Sequence, residues 1–266
     1  MLKTLLYINE DLASSIALRY VDYLNRFIKI SLFVTHVEEV DEDEQAGTGW
    51  VRRTWEDGIE SNGKRLVDRM LKTENIDTPL NGRPKIFVGD REKEINYELR
   101  SGNYDLFVEG YLNTADPKSF FDVINAPLYT KGPCPILMVK NLTISKKVAL
   151  LCADSVDPKI LVEQTMAVLG ESSFGFDIIF FKFKDSEKLE TLDKSEGGSI
   201  LKETEELMAA AGKTAENISV LLGSPEQVGD YLKEYALVSS PLPKRESMRM
   251  QVLANSLATV MLLPVK

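Results

Sequence analysis

The sequence predicts an α/β protein with two doubly wound domains, each built on a mainly parallel five-stranded sheet. Short apolar runs of strand length alternate with segments of helical period, and the runs are apolar throughout, as in strands buried on both faces. The same order of elements then starts again at Lys147. We therefore expect one domain over residues 1–140 and a second over residues 147–266.

The first copy contains five apolar runs separated by four helical segments. The predicted strands are 2–8, 28–37, 85–88, 106–108 and 136–139, and the predicted helices are 16–27, 50–71, 92–99 and 120–128. Gly89 and Asp90 precede the third helix, where the Asp90 side chain is a suitable cap. Parallel strands that alternate with helices indicate a sheet covered on both faces.

The second copy repeats these elements at residues 148–153, 177–183, 219–222 and 248–263. Pro225 stands where a helix should begin, and proline is favoured in a first helical turn. The second copy is shorter between its third and last strands, and we assign most of the loss to the loop after Val238. The charged segment 186–198 is predicted to be irregular and mobile.

Composition restricts the class of protein. The formal net charge is −9, which argues against a nucleic-acid-binding surface because such a surface needs a basic patch. Cys134 and Cys152 lie at or within apolar runs and are expected to be buried free thiols, and one histidine with two cysteines provides no metal site. No signal peptide or membrane span is predicted, so we expect a cytoplasmic protein with no membrane partner.

The stretch 104–139 carries a family resemblance. An apolar run ends at Glu109 and Gly110, a long loop and a helix follow, and Pro133-Cys134-Pro135 precedes four apolar residues. This order of strand, loop, helix and strand resembles the end of a universal stress protein domain. The resemblance extends over nearly the whole chain in two degenerate copies. It implies a tandem universal stress protein with the fold shared with the adenine nucleotide alpha hydrolases.

ATP-binding members of that family carry Gly-x2-Gly-x9-Gly-Ser/Thr in this stretch, where the loop and a helix N-terminus hold the phosphates. Gly110 matches the first glycine, but Asn113 stands at the second. Counting back from Cys134 places Asp122 and Val123 at the Gly-Ser positions. A carboxylate repels phosphate and a β-branched side chain blocks close approach of the backbone. The resemblance therefore implies that the first copy does not bind ATP.

The second copy retains other parts of that site. Asp154 matches the aspartate that ends the first strand in nucleotide-binding members, where the first copy has Asn9, and we expect both side chains to cap the following helix. Ser247 matches the serine that opens the last helix and has Lys244 nearby. The alternative is that Asp154, Ser247 and Lys244 hold a nucleotide, with Gly110 as the fragment left in the first copy.

The loop after Val238 in the second copy also argues against ATP binding. The segment 239–243 contains two prolines and no glycine, so it is stiff and lacks N–H donors. The adjoining Arg245 adds a positive charge, which Glu246 at the glycine position opposes.

The resemblance implies a stress-response protein that is not an enzyme, has no cofactor and acts through protein interaction or regulation. The alternative is a sensor of ATP or AMP that uses the irregular site around Asp154 and Ser247. His36 ends a strand and is expected to be hydrogen-bonded rather than catalytic. Domains of this family pair along the last strand, so Ile136–Val139 should meet residues 260–263 within the chain. A homodimer and an unknown protein partner are the further expectations.

Overall fold

The protein is a single sheet covered by helices, and the computed structural model describes residues 1–39, 50–112 and 116–265. Its strands are β1 (Leu2–Tyr7), β2 (Ile30–Glu38), β3 (Lys85–Val88), β4 (Leu106–Gly110), β5 (Ile136–Val139), β6 (Lys147–Cys152), β7 (Gly175–Phe183), β8 (Glu190–Leu192), β9 (Asn217–Gly223), β10 (Leu237–Pro241) and β11 (Thr259–Leu263). Its α-helices are α1 (Leu12–Leu24), α2 (Trp50–Glu74), α3 (Arg91–Gly102), α4 (Pro117–Ile124), α5 (Pro127–Thr130), α6 (Pro158–Leu169), α7 (Gly198–Ala210), α8 (Pro225–Tyr231) and α9 (Met248–Asn255). None of these helices is long and apolar enough to span a bilayer.

The strand order is β3-β2-β1-β4-β5-β11-β10-β6-β7-β9-β8. Within the first half, β1 to β5 pair in parallel, and β6, β7, β9, β10 and β11 do the same in the second half. The predicted α/β class with doubly wound, mainly parallel sheets is confirmed. Helix starts follow the expected chemistry, since Asp90 caps α3 through the Lys93 N–H at 2.9 Å and Pro225 opens α8.

The second half differs from the prediction by one strand. β8 pairs with β9 in the antiparallel sense, so this half has six strands among its described residues instead of five. A short 3-10 turn, capped by Asp193, then leads into α7. The expectation of an irregular segment is therefore wrong for residues 190–198, whereas residues 186–189 have no regular secondary structure. The reason is that β9 would otherwise expose its unpaired edge, which the short β8 covers.

The two halves join through their last strands. β5 and β11 pair antiparallel, with Leu137 opposite Met261, so the last strands meet as the family resemblance implied. Apart from the short antiparallel β8, the other strands of each half run parallel to its last strand, so the strands of the two halves run in opposite directions. The carboxyl ends of the first half's strands therefore lie on one side of the common sheet, where the amino ends of the second half's strands lie. The carboxyl ends of the second half's strands lie on the opposite side. We call these two sides the carboxyl edges of the two halves.

Each face of this sheet has one apolar core, and both cores contain residues of both halves. Helices α1, α2, α6 and α7 cover one face, whereas α3, α4, α5, α8 and α9 cover the other. Contacts between the halves are specific: the Tyr20 hydroxyl donates to the Ala236 carbonyl at 2.8 Å, and the rings of Phe27 and Phe174 stack with centroids 4.4 Å apart. The halves are thus packed together on both faces.

A buried lysine also ties the halves together. Lys140, which follows β5 and is 4% exposed, donates from Nζ to the carbonyls of Leu253, Ala254 and Ser256 at 2.7, 3.0 and 3.1 Å. These carbonyls belong to the end of α9, where carbonyls lack partners inside the helix and the helix dipole favours a cation. Burial lowers the pKa of Lys140 to about 7, and the three acceptors act in the opposite direction because only the ammonium form has three donors.

Replacing Lys140 by methionine tests this contact. We expect Lys140→Met to lower the free energy of unfolding by about 2 kcal/mol, because three carbonyls at the end of α9 lose a charged donor. Urea unfolding of the variant and of wild type measures the difference. Lys146→Met is the matched control, since Lys146 is exposed in the connection between the halves. Equal unfolding midpoints for Lys140→Met and wild type would show that the contact does not stabilise the protein.

Candidate functional site

Ligands of open α/β sheets bind at the carboxyl ends of the strands. In the first half this edge lies close to α1. Gly110 ends β4, and a Cβ at this position would overlap the backbone of Ala13 near the start of α1. Packing of α1 against β4 therefore explains this glycine, without any ligand.

A buried polar network fills the space at the carboxyl ends of the first half's strands. Glu109 is 4% exposed, and its two carboxylate oxygens accept hydrogen bonds from Arg91 and from the Tyr129 hydroxyl. The Arg91 guanidinium also lies over the Tyr7 ring, 4.6 Å from its centroid. Burial acts to lower the pKa of Arg91, but the Glu109 carboxylate, together with the hydroxyls of Tyr129 and Tyr7, raises the pKa on balance. The first half thus pairs its own buried charges at the strand ends.

The start of α4 is also occupied by a side chain of the first half. Asp116 caps α4 and accepts from the N–H groups of Lys118 and Ser119 at 3.2 and 3.3 Å. The predicted placement of Asp122 and Val123 at the opening of this helix is wrong, since both lie inside α4.

The error in placing α4 comes from α5, which lies between α4 and the cysteine used for counting. The interpretation of Asn113 falls outside the described residues. A carboxylate still stands at the helix N-terminus, but it belongs to Asp116.

The loop after β10 is not shortened, contrary to the prediction. Six residues separate Gly110 from Pro117, and six separate Pro241 from Met248. The second half is shorter after α9, where it has no counterpart of α5 among the described residues. Residues 239–241 belong to β10 rather than to a loop, and the Ser239 hydroxyl pairs with that of Thr165 at 2.6 Å.

Asp154 and Asn9 do not cap the following helices, so that prediction is wrong. The caps are Asp11 for α1 and Asp157 for α6. The Asn9 side chain accepts from the N–H of Glu10 at 2.8 Å, and Asp154 is exposed with no hydrogen bond to another described residue. Each turn contains more than one polar residue after the strand, and the sequence alone does not show which one the helix start reaches.

A small cavity lies at the carboxyl edge of the second half. Its volume is about 280 Å³, and it lies between the N-termini of α6 and α9. The predicted residues Ser247 and Lys244 line it, together with Arg245. Ser247 caps α9 and accepts from the Met250 N–H at 3.2 Å, which confirms the prediction of a capping serine.

The other two predicted site residues lie elsewhere. Asp154 does not line the cavity, and Gly110 lies at the opposite edge of the sheet, so the structure does not bring the four predicted residues together.

Sequence reasoning missed Arg249, which also lines this cavity. Its side chain is 8% exposed, and Nη1 donates to the Ser240 hydroxyl and to the Pro241 carbonyl, each at 2.6 Å. Burial lowers the pKa of Arg249 to about 10, so the group stays charged at neutral pH. A signal was present: Arg249 precedes the buried Val252 and Leu253 by three and four residues, which places it on the inner face of α9.

Comparison with known proteins gives structural similarity only. No family model matches the sequence, and no curated protein matches it. A universal stress protein from Archaeoglobus fulgidus DSM 4304 has a similar structure, with a TM-score of 0.64, 15% identity, and coverage of 99% of this chain and 96% of that chain.

Two Pseudomonas aeruginosa structures are also similar. One is a protein of unknown function from strain PAO1, with a TM-score of 0.57, 13% identity, and coverage of 98% of this chain and 92% of that chain. The other, from strain UCBPP-PA14, is assigned to the universal stress proteins, with a TM-score of 0.56, 13% identity, and coverage of 99% of this chain and 93% of that chain. The predicted resemblance is confirmed for the fold, which is that of the tandem universal stress proteins.

Breaking the buried network of Arg91, Glu109 and Tyr129 should destabilise the protein. We expect Arg91→Met to lower the free energy of unfolding by about 3 kcal/mol, because the Glu109 carboxylate is left buried without its cation. The double variant Arg91→Met/Glu109→Gln should recover part of this loss. Urea unfolding compares both with Arg100→Met, an exposed position on α3. A loss in Arg91→Met no larger than that in Arg100→Met would contradict the assignment.

Proposed function

We propose that this chain, with the fold of the tandem universal stress proteins, is a non-catalytic regulatory protein that acts through its surfaces and does not bind ATP. One observation carries the proposal: the strand ends of the first half, where a ligand of this fold would lie, are filled by the network of Arg91, Glu109 and Tyr129. A nucleotide there would have to displace an ion pair whose carboxylate is buried, and would leave its charges unpaired.

The second half gives a separate argument against ATP. Sites for cofactor-sized ligands commonly measure about 300 to 1,000 Å³. The cavity of about 280 Å³ falls below that range, and the ends of β7 and β9 contribute nothing to its lining. The cavity is therefore at the lower limit for a cofactor-sized ligand, so part of a bound nucleotide would lie outside it.

The absence of catalysis is supported by where the reactive side chains lie. Cys134 and Cys152 are buried, and burial raises the pKa of each thiol to about 12, which disfavours the nucleophilic thiolate. His36 is 2% exposed, and its Nδ1 lies 2.7 Å from the Ile8 carbonyl, as expected of a hydrogen-bonded residue at a strand end. These three groups are therefore shielded from a substrate.

A nucleotide sensor is the second candidate. Lys244, Arg245 and Arg249 line the same cavity as Ser247, and this cluster of positive charge favours a phosphate group. The candidate requires the rest of the nucleotide to lie outside the cavity, towards the exposed Asp154.

ATP binding separates the two candidates. We expect no nucleotide among the small molecules released by denaturing the purified protein. We also expect ATP with magnesium to raise the unfolding temperature no more than the same concentration of inorganic phosphate does. A ligand specific for the native state, at about 100 times its dissociation constant, adds about 2.7 kcal/mol of stability, which thermal unfolding detects easily.

Two results would contradict the proposal. The first is co-purified ATP or AMP in a stoichiometric amount. The second is a rise in unfolding temperature with ATP that exceeds the rise with phosphate and is lost in Asp154→Ala, since Asp154 matches the aspartate of the nucleotide-binding members. Either result would favour the nucleotide sensor.

A further inference from the structure

An open groove lies on the surface of the first half between α3 and α5. Its volume is about 740 Å³, and the exposed Tyr97 and Pro127 line it. Arg91, Glu109 and Tyr129, which fill the space at the strand ends, do not line the groove. The groove is therefore a separate feature from that network and from the cavity of the second half.

The two walls of the groove carry positive charges around an aromatic ring. Lys93, Tyr97 and Arg100 are four and three residues apart on α3, so their side chains lie on one face of the helix. Lys131, which follows α5, contributes to the opposite wall, and its carbonyl oxygen lies 3.5 Å from Arg100 Nη2. Tyr97 is 66% exposed, and tyrosine and arginine are among the residues that contribute most to protein–protein binding.

These three cations have no counter-ion within the described part of the chain. No carboxylate there lies within 4 Å of Lys93, Arg100 or Lys131. Exposed lysines elsewhere do form such pairs, as Lys184 does with Glu190 at 2.8 Å. The whole chain has a formal net charge of −9, so this positive groove differs from the average of the surface. Charge complementarity therefore favours an acidic partner.

Asn96 gives a second, independent indication of a partner. It lines the groove, and its side-chain Oδ1 is buried and accepts no hydrogen bond from another described residue. A buried acceptor without a donor is unfavourable, and a partner that brings an N–H group would offset this cost. A polypeptide backbone provides such groups, whereas a phosphate backbone provides none.

We infer that this groove binds an acidic, extended segment of a partner protein, whose carboxylates pair with Lys93 and Arg100 and which places an apolar side chain on the Tyr97 ring. The inference rests on the proposed function, a regulatory protein that acts through its surfaces. It adds the place of one such surface and the chemistry of the segment that it binds.

The spacing of the two cations fits carboxylates three residues apart. Lys93 and Arg100 are separated by seven residues, which is about 10.5 Å along a helix. In the polyproline II conformation, residues three apart lie on the same side of the peptide and are about 9 Å apart. The long lysine and arginine side chains cover the small difference. Grooves lined by aromatic side chains are known to bind peptides in this conformation.

The start of the groove argues against a nucleic acid as the partner. Asp90 and Glu92 also line the groove, at the start of α3. Asp90 accepts from the Lys93 N–H at 2.9 Å as the cap of the helix. The two carboxylates would repel a continuous phosphate backbone, which binds where many cations lie together. A peptide carries its charges at separate positions and can avoid them.

Binding of synthetic peptides to the intact chain tests the inference. The probe contains Glu-Pro-Leu-Glu between glycine and serine residues and carries a fluorophore, and the control peptide contains Gln-Pro-Leu-Gln. We expect saturable binding of the glutamate peptide by fluorescence anisotropy, and binding of the glutamine peptide that is at least about tenfold weaker. Sodium chloride should weaken binding of the glutamate peptide, because salt screens exposed charges.

Two double variants with the same change of charge locate the site. Lys93→Glu/Arg100→Glu should weaken binding of the glutamate peptide at least about tenfold. Lys64→Glu/Arg65→Glu, at exposed positions of α2 that do not line the groove, should change it by less than about threefold. Tyr97→Ser should also weaken binding, since it removes the aromatic surface. Circular dichroism and the unfolding temperature show whether each variant is folded.

Three outcomes would overturn the inference. The first is a wild-type chain that binds the glutamate peptide no more tightly than the glutamine peptide, and this outcome depends on no variant. The second is an equal loss of binding in the two folded double variants, which would indicate a general effect of charge. The third is a single-stranded oligonucleotide that binds more tightly than the peptide and loses this binding in Lys93→Glu/Arg100→Glu.

Failure of the proposed function gives a different result. Stoichiometric ATP in the purified protein would contradict the proposed function, and it would not change the comparison of the two peptides. Loss of the difference between the peptides would contradict only the inference about the groove. The two failures are therefore distinguishable.

Discussion

The antiparallel pairing of β5 with β11 is the contact on which the rest of the architecture depends. Each half ends in a strand whose outer edge would be unpaired if the half were alone, and such edges pair with other chains. Pairing the two edges within one chain removes that hazard and makes one sheet of eleven strands from the described residues. Two apolar cores then form across both halves, and Lys140 of one half reaches the end of α9 in the other.

The same pairing places the carboxyl ends of the strands of the two halves on opposite sides of the sheet, and the two sides carry different residues. The fourth residue of β4 is Glu109, whereas the fourth residue of β10 is Ser240. In the first half the Glu109 carboxylate accepts a hydrogen bond from Arg91 at the start of α3, and this pair fills the space at the strand ends. In the second half a neutral serine stands there and Arg249 approaches from α9, so its charge stays without a counter-ion among the described residues. The strand ends of the first half thus hold a paired carboxylate, whereas Ser240 at the matching position of the second half brings no negative charge.

The order of elements could be predicted because each depends on local patterns. Apolar runs, the repeat and the last strands were all evident from sequence, and the meeting of β5 with β11 followed from the resemblance. The segment around β8 was missed because a charged three-residue strand carries almost no apolar signal. The position of α4 was misjudged because α5 is four residues long and has no periodicity to detect.

The candidate site was less predictable than the fold. Ser247 and Lys244 were found because they match positions of a known motif, and they do line the cavity. Arg249 was missed because it lies between two methionines, in a helix that the sequence analysis treated only as a repeated element. Whether an inward-facing arginine has a carboxylate partner depends on which strand end it reaches, and only the three-dimensional contacts show this.

Hydrogen exchange of the backbone amides in β5 and β11 tests the central claim most directly, namely that the two halves form one continuous sheet. If they do, these two strands lie in the middle of the sheet. Their amides should then exchange as slowly as those of β1 and β6, which have partners on both sides. Exchange in β5 and β11 as fast as in the edge strand β8 would show that the halves separate in solution, and would contradict the account.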